Sequence, residues 1–128
     1  MPKRKIKWLP GEVFAVPLSD ETFAVGQVLD LMMVNQVRLA LYDERVSAVD
    51  AIDVAQACNP DNLISLVASL REHLDYGAWK VLGNKPVTIP LNRHPNEQFR
   101  HLGWVGATHY DASLVAKFLE ALPAPTVG

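Results

Sequence analysis

One cysteine, Cys58, stands in a chain of 128 residues, and that scarcity removes several chemistries at once. No internal disulfide can form, and no zinc site built on several thiolates can exist. The usual signatures of catalysis are missing as well. There is no phosphate-cradling P-loop, no dinucleotide fingerprint, no H-E-x-x-H, no G-x-S-x-G and no C-x-x-C. No apolar run reaches the roughly 18 residues a membrane helix needs. The opening Met-Pro-Lys-Arg-Lys-Ile-Lys-Trp carries positive charge, but Pro10, Gly11 and Glu12 interrupt the apolar segment that a signal peptide requires. The expectation is a soluble protein of a reducing cytoplasm, without a membrane or a cofactor among its partners.

What is present fits one globular domain spanning residues 1–128. Hydrophobic residues make up 49% and charged residues 20%, enough apolar surface for a core and too little charge for a disordered chain. The net charge of −2 is unevenly placed: Lys3, Arg4, Lys5 and Lys7 supply four of the 12 positives, leaving 8 against 14 acids. A basic arm over residues 1–10 thus precedes an acidic body. Such a body disfavours a polyanion as the main partner and suits a basic protein.

The stretch Gly11 to Leu31 organises the rest. Val13 to Leu18 is a continuous apolar run, as in a strand buried on both faces. Ser19-Asp20-Glu21-Thr22 makes the turn, and Phe23, Val25, Leu29 and Leu31 share one parity, with Gln27 as the polar exception. Pro17 belongs at a strand end or edge, and Gly26 marks a close approach of other groups. After a turn at Asn35-Gln36, Val37, Leu39 and Leu41 alternate with Arg38, Ala40 and Tyr42, predicting a half-buried third strand. Met32 and Met33 read as core. Asp43 to Asp61 is acidic, with Asp43, Glu44, Asp50, Asp53 and Asp61 against Arg45 alone, and reads as either strand-loop-strand or a short irregular helix.

Three segments resemble the immunity protein 26 family of bacterial polymorphic toxin systems. The first is Gly11-Glu12-Val13-Phe14-Ala15-Val16-Pro17-Leu18 running on to Phe23-Ala24-Val25-Gly26-Gln27-Val28-Leu29. The second is Gly77-Ala78-Trp79-Lys80-Val81-Leu82-Gly83. The third is Gly106 to Val115, continuing into Phe118-Leu119-Glu120-Ala121. Between the first two, Leu63, Leu66, Val67, Leu70 and Leu74 follow helical spacing, whereas the resemblance implies a buried strand followed by a helical turn. Strand over 63–69 with a turn of helix near 71–76 is the reading taken. Gly77 permits a positive φ, and Trp79 is a core anchor.

Val87, Ile89 and Leu91 predict a further strand or extended edge. Residues 92–102 form a polar loop, and a short strand follows around Trp104 to Ala107. Asp111 caps a helix over 111–122, with Leu114, Val115, Phe118, Leu119 and Leu122 on one face, stopped by Pro123. Residues 123–128 read as a loose tail. The fold class expected is α+β, mostly β over 11–110: a small twisted antiparallel sheet or SH3-like partial barrel with a C-terminal α-helix.

No residue qualifies as catalytic. His94, His101 and His109 lie too far apart for a compact zinc motif, and Cys58 reads as a buried inert thiol rather than a nucleophile served by His73 or His109. The resemblance implies a non-enzymatic immunity protein that binds and neutralises a cognate toxin by stoichiometric protein–protein inhibition. Asp43, Glu44, Asp50 and Asp53 are the candidate contacts, opposed to the basic cleft of a nuclease toxin. The rival reading is a small β-barrel that binds nucleic acid through its basic arm, as a regulator or ribonuclease-like module.

Overall fold

The structure is a computed structural model describing residues 7–33 and 35–121. The basic cluster Lys3 to Lys5, Val34, Leu122 and the proposed tail lie outside the described residues. Among the described residues, five strands form one antiparallel sheet: β1 (Glu12–Pro17), β2 (Phe23–Met33), β3 (Gln36–Val46), β4 (Leu63–Leu70) and β5 (Lys80–Asn84), in the order β4-β3-β2-β1-β5. A short helix, α1 (Glu72–Asp75), joins β4 to β5, and α2 (Ala112–Ala121) closes the described chain. β4 and β5 occupy opposite edges and do not pair, so the sheet stays open.

The first hairpin forms as the sequence dictates. Val13 to Val16 are buried, and Pro17, which has no N–H to give the ladder, sits at the strand end opposite Phe23. Glu21 turns the corner at φ 68°, with Leu18 N–H donating to Thr22 O at 2.9 Å. Gly26 is required by its neighbour: a Cβ there would come 2.5 Å from Phe14 Cζ. Phe14 in turn stacks on Trp79 at 5.2 Å between centroids. Gln27, the polar exception, is buried and useful. Its amide donates to Gly11 O at 3.2 Å and to Lys85 O at 2.9 Å, fastening both chain segments that flank the β1–β5 edge.

Each face of the sheet has its own core. On one, Phe14, Val16, Leu39 and Leu41 pack against Trp8, Leu74, Trp79 and the inner side of α2, Ala112, Val115 and Leu119. On the other, Val13, Val25, Leu29, Ala40 and Tyr42 are covered by Ile52, Val54, Ala57, Cys58, Val87 and Ile89. This second cover overturns the half-buried reading of β3. Arg38, Ala40 and Tyr42 are as buried as Val37, Leu39 and Leu41, because irregular segments roof the face that alternation assigns to water.

β4 is the strand that the resemblance implied, not the helix of the local pattern. Seven of its positions pair with β3, from Gln36–Leu70 to Tyr42–Leu63, and cross-strand pairing outweighs an eight-residue propensity. The turn of helix follows as α1, and Gly77 takes φ 83° directly after it.

The C-terminal third departs from expectation. No strand forms over Val87 to Leu91, and residues 91–93 and 97–102 make two 3-10 segments within the expected loop. The expected strand at Trp104 to Ala107 is a series of tight turns. Gly103, Trp104 and Gly106 all have positive φ (62°, 69° and 96°), which no β-strand accommodates. Among the described residues the regular strands therefore end at Asn84, and beyond it only the bridge from Tyr110 to Ser69 joins the sheet. The apolar stripe of α2 is also split. Val115 and Leu119 are buried, whereas Leu114 and Phe118 are 51% and 41% exposed.

Candidate partner-binding surface

The acidic segment resolves into two roles. β3 runs on to Val46, so Asp43 and Glu44 lie on a strand rather than in a loop. Asp43 is exposed and directed to solvent. Glu44 is half-buried, and its carboxylate accepts from Cys58 N–H at 2.8 Å and Asn59 N–H at 3.2 Å. It pins the loop that roofs the second core. Cys58 needs such a tie because it holds φ 61°, a strained conformation for a residue with a Cβ.

Asp50 lies in the 3-10 turn Val49–Ala51, exposed, at the mouth of an open cleft of about 480 Å³. The cleft runs between this segment and β5 and is lined by Val49, Ile52, Val54, Lys80, Val81 and Leu82. Asp53 is exposed and accepts from Ala55 N–H at 3.0 Å, which folds the chain back so that Val54 meets β5. Lys85 Nζ completes the loop by donating to Ala57 O. Asp43, Asp50, Asp53 and Asp61 thus project from ordered backbone.

The other candidates fall apart as chemistry. Cys58 is buried, and that burial, with the nearby charge of Glu44, pushes its thiol up to about 12. It is protonated at neutral pH and a poor nucleophile. His101 and His109 are exposed, whereas His94 is buried with its two ring nitrogens 3.1 Å from Asp30 Oδ2 and 2.9 Å from Ile89 O. Among the described residues no group of three or more histidine, cysteine or acidic side chains is placed to hold a metal ion.

Sequence reasoning missed the charged network in which His94 takes part. Arg38 has no exposed side-chain surface; it donates through Nε and Nη2 to both oxygens of Asp30, and through Nη1 to Glu97. Burial weakens the charge on Arg38, and the two carboxylates more than restore it, so its pKa is raised. Glu97 is held down at about 2 by hydrogen bonds from Arg100 and then Arg38. The guanidiniums of Arg100 and Arg38 lie 5.0 and 5.5 Å from the Trp104 ring, which explains how that residue is held in its left-handed turn. The network ties residues 94–104 to the middle of the sheet. A similar tie secures the start of the described residues: Trp8 is buried, donates to Asp75 at 2.9 Å and lies under Arg71 at 4.8 Å.

A model of the immunity protein 26 family matches residues 9–104, three quarters of the sequence. The chain belongs to the immunity protein 26 family. Its match spans both faces of the sheet, the acidic segment and the Arg38 network, and ends before α2. Family membership makes this an immunity protein and suggests a non-enzymatic role. No curated protein and no solved structure matches the chain. No described helix is long and apolar enough to cross a membrane.

Proposed function

We propose that this immunity protein works in the bacterial cytoplasm, binding one cognate toxin and neutralising it by occupying its active site. The observation that carries the reading is the acidic segment of a family member, held rigid at the surface. Asp43, Asp50 and Asp53 present charge from backbone that Glu44, Lys85 and the second core keep in place. Preorganised carboxylates oppose a cationic cleft without a further ordering cost, which favours a nuclease as the toxin. Glu44 acts as the brace of this surface and the other three as its contacts.

The test is a double charge reversal, Asp50→Lys with Asp53→Lys. Toxin affinity should fall by more than tenfold, mostly through slower association, and the wild-type affinity should weaken with added salt. Unchanged affinity and a flat salt response would remove the acidic face from the mechanism.

A further inference from the structure

The two sheet edges are finished differently. β5 lies against the loop of Val54, so close that a Cβ on Gly83 would come 3.3 Å from Val54 Cγ2. Among the described residues, backbone pairs with the outer edge of β4 only at its C-terminal end, where Tyr110 N–H donates to Ala68 O at 2.9 Å and Leu70 N–H donates to Tyr110 O at 3.2 Å. This is a one-residue parallel bridge opposite Ser69. Because backbone groups alternate in direction along a strand, those two bonds fix which groups of β4 point outward. Val67 and Ser69 face their partners Leu39 and Val37, and Leu66, Ala68 and Leu70 face away. The N–H and C=O of Leu66 and the N–H of Ala68 therefore leave the sheet edge with no backbone partner among the described residues.

An apolar groove of about 350 Å³ runs beside this open stretch, floored by Leu41, Ser65 and Val67 and walled by Tyr110, Leu114 and Phe118. It exists because α2 seats Ala112, Val115, Ala116 and Leu119 on the core of this face, leaving Leu114 and Phe118 to overhang the β4 edge.

We propose that the β4 edge accepts an extended segment of the toxin as an added strand. Its main chain bonds Leu66 and Ala68, and its apolar side chains, at every second position, fill the groove against Leu114 and Phe118. Tyr110 already occupies the next position of that added strand, which demonstrates that the edge accepts backbone in parallel orientation. The area at the site decides between a toxin segment and a second copy of this chain. Tyr110, Leu114 and Phe118 are 47%, 51% and 41% exposed, together roughly 250–300 Å², against about 800 Å² per partner in a stable interface. Two copies meeting through this patch fall far short. A peptide strand adds main-chain hydrogen bonds to the groove and forms one part of a larger toxin contact. The register shift where Leu41 and Tyr42 pair with Ser65 and Leu63 bounds the added strand at one end, and Tyr110 opposite Ser69 bounds it at the other, leaving Ser65 to Ala68.

The proposal rests on toxin binding, and its test separates the two. The probe is the polypeptide that the wild-type chain retains from nuclease-treated extract of its native host, purified and titrated against variants. Leu66→Pro deletes an outward N–H and leaves the β3 ladder intact. Leu114→Asp with Phe118→Asp puts charge into the groove at two positions already in water. Each should bind at least tenfold more weakly, and in the wild-type complex the Leu66 and Ala68 amides should exchange hydrogen at least tenfold more slowly. The exchange measurement stands even if the proline variant does not fold. Wild-type affinity in the double aspartate variant, with unprotected amides, would overturn added-strand binding and leave toxin binding intact. If the wild-type chain retains no polypeptide, both readings fail. A wild-type dimer that the double aspartate variant dissolves would overturn the proposal in favour of a second copy.

Discussion

Asp30→Asn should destabilise the protein far more than Arg38→Met, although the two residues share one ion pair. Arg38 has no side-chain exposure, whereas Asp30 and Glu97 retain 25% and 15%. Losing the Asp30 charge leaves a guanidinium that water cannot reach, facing an amide in place of a carboxylate and keeping the Glu97 carboxylate and Pro95 O. Breaking a buried pair from one side costs about 3–5 kcal/mol, and the surviving Glu97 places this case near the lower end, about 3 kcal/mol. Arg38→Met removes the buried charge itself and keeps most of the apolar stem. The two carboxylates left behind reach solvent and keep other partners, Asp30 with His94 and Glu97 with Arg100. That change should cost about 1 kcal/mol. Urea denaturation of both variants measures the difference directly. In a chain of this size the Asp30→Asn loss corresponds to roughly 10 °C in Tm. Equal losses in the two variants, or a loss below about 1 kcal/mol for Asp30→Asn, would refute the claim that desolvated charge on Arg38 dominates the network.

Acid should weaken the same network. Glu97 is held down at about 2 from an ordinary 4.5, so the stability it contributes is complete above the ordinary value and disappears as pH falls toward 2. Urea midpoints measured across that window should fall more for wild type than for Glu97→Gln; parallel curves would contradict the assignment. Gly26→Ala should cost about 1–3 kcal/mol, since the new methyl meets a Phe14 ring already stacked on Trp79, and an unchanged melting curve would show that the ring can yield. Cys58 should resist a thiol reagent at pH 8 and react at the rate of local opening, because its thiol is pushed up to about 12; fast stoichiometric labelling of folded protein would contradict this.

The parts of the fold legible in the sequence are those set by neighbours along the chain. The run Val13 to Val16, the proline at its end and the glycine beneath Phe14 specify the first hairpin almost without tertiary help. β4 was ambiguous because an apolar run of that length satisfies helix and strand equally, and only its pairing with β3 decides. The burial of Arg38 could not be read, since a charge on an alternating strand looks like a solvent-facing one. Its partner Asp30 lies directly across the β2–β3 pair, but Glu97 comes from 59 residues away. The turn at Trp104 was equally hidden, because a tryptophan gives no local sign of a positive φ, whereas Asn96 is of a type that favours that region.

The candidate surface divides in the same way. The acids were visible as composition, yet nothing local distinguished Glu44, bonded to two backbone N–H groups, from the exposed Asp43 beside it. The groove did leave a trace. Leu114, Val115, Phe118 and Leu119 spread over about 140° of helix at 100° per residue, wider than a single contact with a sheet requires, and the surplus is the overhanging side.

The central claim is inhibition by one-to-one binding, and titration of toxin activity tests it most directly. With toxin held well above the dissociation constant, activity should fall linearly and reach zero at one equivalent of this protein. Loss of activity at a small fraction of an equivalent would indicate turnover, and full activity in a saturated complex would show that binding leaves the toxin's active site free.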